Sequence, residues 1–178
     1  MSYIASLSAT ITTLSIAAIA SDELPGPKDF DLNRYLGTWH EVARLPNPFQ
    51  HRCVADVTAQ YALRTDGTVA VTNRCRTTEG SISAEGVARV VDAGSGHLEV
   101  RFAPAWLGWL PHVWADYRVI EVDPDYRLAM VGEAGREYLW ILSRSPSADR
   151  GKVETMLEKA RAYGFPVEQI IVDGAAFD

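Results

Sequence analysis

The sequence predicts an all-β protein, a single eight-stranded antiparallel up-and-down β-barrel with one C-terminal helix packed outside it. Three observations predict this. Eight short runs rich in β-branched and aromatic residues follow one another from Gly37 to Ser143. Tight-turn residues separate them. Only after the last run does the hydrophobic period become that of a helix.

The predicted strands cover residues 37–45, 55–64, 68–77, 81–92, 97–102, 113–122, 126–132 and 137–143. Asp66-Gly67, the run from Asp92 to Gly96, Asp123-Pro124-Asp125 and Glu133-Ala134-Gly135 supply turns between them. Successive hairpins without a long crossover favour a closed barrel over a two-sheet sandwich. Closure removes exposed strand edges and leaves room for one small ligand. Beyond Ser145-Pro146, Val153, Met156, Leu157 and Ala160 fall at helical spacing, while Lys152, Glu154, Glu158, Lys159 and Arg161 cover the other face. Gly164 ends that helix, and residues 169–172 form a last short strand that returns to the barrel wall.

With 178 residues, 47% of them hydrophobic and 22% charged, the chain suits one soluble domain with a sizeable core. A formal net charge of −6 and the lack of a Lys/Arg stripe argue against nucleic acid as a partner. Residues 1–20 carry no charge, grow apolar from Ile11 and end in Ala18-Ile19-Ala20, which reads as an export signal without a basic n-region. Residues 21–29 form a linker containing proline and glycine, and the barrel domain with its helix and terminal strand occupies residues 30–178. No cysteine lies near the signal junction, so the expectation is a soluble exported protein, periplasmic, in the cell envelope or secreted.

Residues 30–44, FDLNRYLGTWHEVAR, resemble the first signature of the lipocalin family, whose Gly-x-Trp lies where an opening helical turn enters the first strand. Ala115-Asp116-Tyr117 resembles the second signature, with Ala in place of Thr, and Leu142-Ser143-Arg144 resembles the third. Three ordered signatures around an eight-strand pattern are far more specific than Gly-x-Trp alone. The similarity runs from about residue 30 to 173 and is nearest to bacterial lipocalins and their apolipoprotein D relatives. It implies a lipocalin barrel with Gly37, Trp39 and Arg144 as structural residues. A guanidinium stacked on the indole that closes the narrow end contributes about 0.5–2 kcal/mol.

Strand direction alternates in a meander, so with Trp39 at the closed end the loops Pro46–Val54, Arg76–Gly80, Ala103–His112 and Gly132–Arg136 lie at the mouth. This brings Cys53 and Cys75 to one rim, where an exported protein would join them; two buried thiols are the alternative. Two cysteines and four scattered histidines do not compose a metal site. His51 and His112 read as solvated loop residues rather than haem ligands, and no cofactor is expected. Phe49, Trp106, Leu107, Trp109 and Leu110 put an apolar cluster at the mouth. It either folds inward as packing or anchors the mouth at a membrane surface or a partner.

Alternation from Trp39 points Glu41 and Ala43 into the barrel. Ala59, Tyr61, Asn73, Gly86, Ala88, Tyr117, Leu128, Met130, Tyr138 and Trp140 join the inward set. The ligand-binding candidates are Glu41, Ala43, Ala59, Tyr61, Asn73, Ala88, Tyr117 and Trp140, because small wall residues leave volume for an apolar ligand and polar tips orient its head group. Ten buried methylenes contribute roughly 8 kcal/mol before association costs. The resemblance supplies the ligand class, a fatty acid or lysophospholipid held, stored or transported in cell-envelope lipid handling. The alternatives are a lipocalin-type isomerase using a barrel cysteine, for which Cys53 has no evident base partner, and a protein-protein interaction module using the aromatic mouth loop. The sequence reads as a binding protein with no catalytic residues.

Overall fold

The computed structural model describes residues 23–104, 107, 110–173 and 177. The expected export signal and two of the mouth aromatics, Trp106 and Trp109, lie outside the described residues. A one-turn helix α1 (Leu32–Tyr35) precedes β1 (Gly37–Arg44), β2 (Ala55–Leu63), β3 (Val69–Thr77), β4 (Gly80–Asp92), β5 (His97–Arg101), β6 (Ala115–Val122), β7 (Leu128–Gly132) and β8 (Leu139–Ser143). Helix α2 (Arg150–Ala162) and a two-residue strand β9 (Ile171–Val172) follow. Every neighbour in the order β2-β3-β4-β5-β6-β7-β8-β1-β9 pairs antiparallel, and the additional β1–β2 pairing closes the first eight strands into the expected barrel.

The ends of the predicted strands shift by a few residues for local reasons. Pro111–Val113 form a 3-10 turn, so β6 begins at Ala115. Val167–Gln169 form another, so the terminal strand shrinks to Ile171-Val172. It pairs with Ala43 and Arg44, an edge of β1 open because β2 pairs only with Gly37–His40.

Two apolar layers share the strands. Asp149 caps α2 by accepting from the Lys152 amide, and the helix buries Val153, Met156 and Ala160 against the outside of the barrel. Val42, Ala43, Leu45, Ile120, Leu128, Met130, Leu139 and Ile141 meet them there. Inside the barrel, Tyr35, Trp39, Tyr61, Val69, Val71, Ala88, Leu98, Val119, Ala129, Val131 and Leu142 form the second layer.

Two bulges correct the expected interior. Between Glu41 and Ala43 the β1–β8 register slips, so Glu41 opposes the inward Leu142 while Ala43 opposes the outward Ile141 and Arg44 opposes Trp140. Ala43 therefore packs in the layer beneath α2, not in the cavity, and Arg44 takes the inward position. A second slip between Val119 and Glu121 pairs Val122 with the inward Ala129 and Glu121 with Met130. Leu128 and Met130, expected inside, belong to the outer layer.

Cys53 and Cys75 form the disulfide, with Cα atoms 5.6 Å apart. A bulge between Ala55 and Thr58, with Asp56 in the left-handed region at φ 54°, lets the loop before β2 turn back toward β3. The Val54 amide then donates to the Arg76 carbonyl at 2.8 Å.

Candidate functional site

The closed end is built from α1. Asp31 accepts from the Asn33 and Arg34 amides and so starts the turn that carries Tyr35 over the barrel base. Trp39 is fully buried and donates its indole N–H to the Tyr35 carbonyl at 2.8 Å. Arg144 lies 3.8 Å from the Trp39 ring centre and donates through its Nη atoms to the carbonyls of Arg34, Tyr35, Leu36 and Thr38. The first three belong to α1 and its C-terminal cap, and the last to the start of β1. Gly37, at φ 96°, fits because a Cβ there would come within 3.2 Å of Arg144 Nη1. The three residues expected to be structural form one plug.

Above the plug lies a cluster of three phenols. The Tyr117 hydroxyl stands 2.7 Å from those of both Tyr35 and Tyr61. Three O–H donors share two hydrogen bonds, so one donor is left over. Burial drives all three pKa values upward, Tyr61 to about 12, and the phenols stay neutral at any physiological pH. They offer a ligand an uncharged hydrogen bond part-way down the barrel.

Exposure varies along the inward face: Leu63 and Val90 near the base are exposed, while Cys75 and Thr77 near the rim are buried. Across β2, β3 and β4, Val69, Val71 and Ala88 are buried, Ala59 and Asn73 are half-buried, and Ala84 and Ile82 are exposed. Not every small residue opens space. A Cβ at Gly86 would come within 2.8 Å of the Phe102 ring, which already fills that position, and Ala88 is only 2% exposed. Ala59 remains, flanked by Asn73, whose buried Oδ1 has no hydrogen-bond partner among the described residues.

At the mouth, residues 45–54 fold over the barrel end and are tied down from inside. Asn47 accepts from the Phe49 and Gln50 amides, forming a 3-10 turn that presents Gln50. Gln50 donates to Glu41 Oε2 at 2.5 Å and accepts from the Trp140 indole N–H at 2.9 Å. Glu41 Oε1 pairs with Arg44 Nε at 3.0 Å. Burial pushes the Glu41 carboxyl up to about 7, against the opposing pull of Gln50 and Arg44. Phe49 is 69% exposed on the rim, and its ring lies 5.3 Å from that of Tyr138. Leu107 and Leu110 are half-buried in the loop after β5.

Seven of the eight ligand candidates thus face the interior, at the phenol cluster, along the wall or in the mouth network; Ala43 does not. The missed residues are Arg44 and Gln50. A signal for Arg44 exists in the Val42-Ala43 doublet, which breaks strict alternation in front of it.

A closed barrel plugged at one end, with an apolar inner layer and a few polar tips toward the other, has the architecture of a small-ligand binder. The lipocalin-like domain model matches residues 30–174, and the chain belongs to the lipocalin family, whose members bind hydrophobic ligands. It is 39% identical over 147 residues to the outer membrane lipoprotein Blc of Vibrio cholerae, covering 80% of this chain and 81% of that one. Similarity to apolipoprotein D of Macaca fascicularis is 30% over 131 residues, 68% of this chain and 64% of that protein. Insecticyanin from Manduca sexta shares the fold, with a TM-score of 0.65 at 17% identity over 88% of this chain and 89% of that one.

Proposed function

We propose that the chain holds one long-chain fatty acid or lysophospholipid in its barrel and carries it within the cell envelope. The carrying observation is a set of accessible inward positions above the Trp39 plug, with Ala59 and Asn73 half-buried, Ala84 exposed and Ile82 37% exposed. An apolar face that a folded protein leaves accessible inside its own barrel is stabilised by an apolar ligand. The similarity to proteins named as outer membrane lipoproteins supports the envelope as the setting. The protein acts as a binder rather than a catalyst. The isomerase alternative requires a free thiol, and both cysteines are committed to the disulfide.

The test is a chain-length series of fatty acids and lysophospholipids titrated into delipidated protein, read by quenching of Trp fluorescence, since Trp140 lies on the cavity wall. One-to-one binding that tightens with each added methylene is expected. Affinity independent of chain length would overturn the reading.

A further inference from the structure

The bulge in β1 leaves a cation inside the mouth of an acidic protein. Arg44 opposes Trp140 on the inward face, and its side chain is only 12% exposed. Its Nε lies 3.0 Å from Glu41 Oε1, one contact of a group that carries five N–H donors. Glu41 does not depend on Arg44 alone, because its other oxygen accepts from Gln50. A guanidinium fork has the geometry to take two oxygens of an anion. The phenol cluster further down is neutral and suits an uncharged acceptor.

We infer that Arg44 is the receptor for the acidic head group of the ligand, with the acyl chain running down toward the phenols and Glu41 serving as the counter-ion held in place while the site is empty. This rests on the lipid-binding reading above and adds the charge and orientation of the ligand. It has a consequence for protons. An anion on Arg44 brings a second negative charge beside Glu41, whose other charged neighbour, Asp173, is also acidic. Strand β8 faces Glu41 with Leu142 and Trp140 and the loop with Gln50, so no other cation among the described residues compensates. The carboxyl, already raised to about 7, takes up a proton as the ligand enters.

The test compares palmitate, 1-palmitoyl lysophosphatidic acid and hexadecanol, three ligands with the same chain length and different heads. Wild-type protein at pH 7 is expected to hold at least one acid about tenfold or more tighter than the alcohol, and the tighter acid identifies a carboxylate or a phosphate as the natural head. Arg44→Met should bring the acids down to the level of the alcohol, while Arg44→Lys keeps part of the preference. Calorimetry of the preferred acid in buffers of different ionisation enthalpy should show uptake of about half a proton at pH 7, absent in Glu41→Gln. Equal wild-type affinity for acid and alcohol, or an acid preference that survives Arg44→Met, would overturn the inference and leave the barrel reading standing. Failure to bind any of the three would remove both.

Discussion

The Arg144 guanidinium stacks 3.8 Å from the centre of the Trp39 ring, and its Nη atoms reach four backbone carbonyls of residues 34–38, with Nε on the Tyr126 carbonyl at 3.2 Å. One side chain near the end of β8 thereby closes the barrel over the residue that opens β1. A planar fork with several donors is required, and a lysine ammonium cannot reproduce it. Arg144→Lys should destabilise the fold by about 2–4 kcal/mol, nearly as much as Arg144→Met, because both leave carbonyls without donors. Urea unfolding checks this; a lysine variant as stable as wild type would show that charge alone suffices.

The disulfide joins residues 22 apart in sequence. In the chain-entropy account, closing a loop of that length stabilises the fold by about 3 kcal/mol. Thiol titration of the native protein should find no free cysteine, and Cys53→Ser/Cys75→Ser should lose about that stability while keeping the barrel. The larger functional effect is expected at the mouth, since Cys53 anchors the loop that presents Gln50 to Glu41.

Stability should fall in two steps as pH rises. Glu41 has a folded pKa of about 7, above its unfolded value, so the native state binds more protons between pH 4.5 and 7. The contribution is full below the unfolded pKa and is lost as pH rises through about 7. Glu41→Gln should remove this step. The three phenols behave likewise above pH 10, and spectrophotometric titration should show three of the seven tyrosines ionising late, with unfolding. Early ionisation of all seven would place the cluster in contact with solvent.

How much of the cavity was legible in the sequence depended on where alternation holds. Trp39, Ala59, Tyr61, Asn73 and Ala88 follow strict period two, and their faces were readable. Ala43 lies next to a bulge and Met130 across from another, and such bulges turn the following residues over without changing composition. The outer layer blurred the pattern further, because strands covered by α2 are apolar on both faces: β7 is buried at all five positions. The head-group candidate Arg44 was hidden for the same reason. Gln50 was hidden because nothing in its sequence context marks a loop residue that folds back into a barrel.

Ala59 and Ala88 should answer differently to the same substitution. Ala59 is half-buried on the accessible wall, so Ala59→Trp should occupy ligand space and weaken binding about tenfold or more with little loss of stability. Ala88 is packed between Val69 and Val100 near the sealed end. Ala88→Trp should cost about 1–3 kcal/mol of overpacking. Chemical denaturation run beside ligand titration separates the two, and an Ala59→Trp variant with normal affinity would show that the chain takes another path.

Phe49 is the most exposed large apolar side chain of the described residues and stands on the rim of the barrel, in the loop before β2. Its position in a 3-10 turn pinned by Asn47 holds it outward, while Gln50 of the same turn points inward to Glu41. A side chain so placed can enter the edge of a bilayer without moving the cavity beneath it. Trp106 and Trp109, in the chain between β5 and β6, are proposed to share the task. Phe49→Ser should therefore slow transfer of a fluorescent fatty acid from anionic vesicles several-fold while leaving the equilibrium affinity for monomeric ligand within about twofold. Trp106→Ser/Trp109→Ser should act in the same direction. Stopped-flow transfer and equilibrium titration read the two quantities separately. Equal losses in both would make these side chains part of the cavity wall, and no change in either would reduce Phe49 to loop packing against Tyr138.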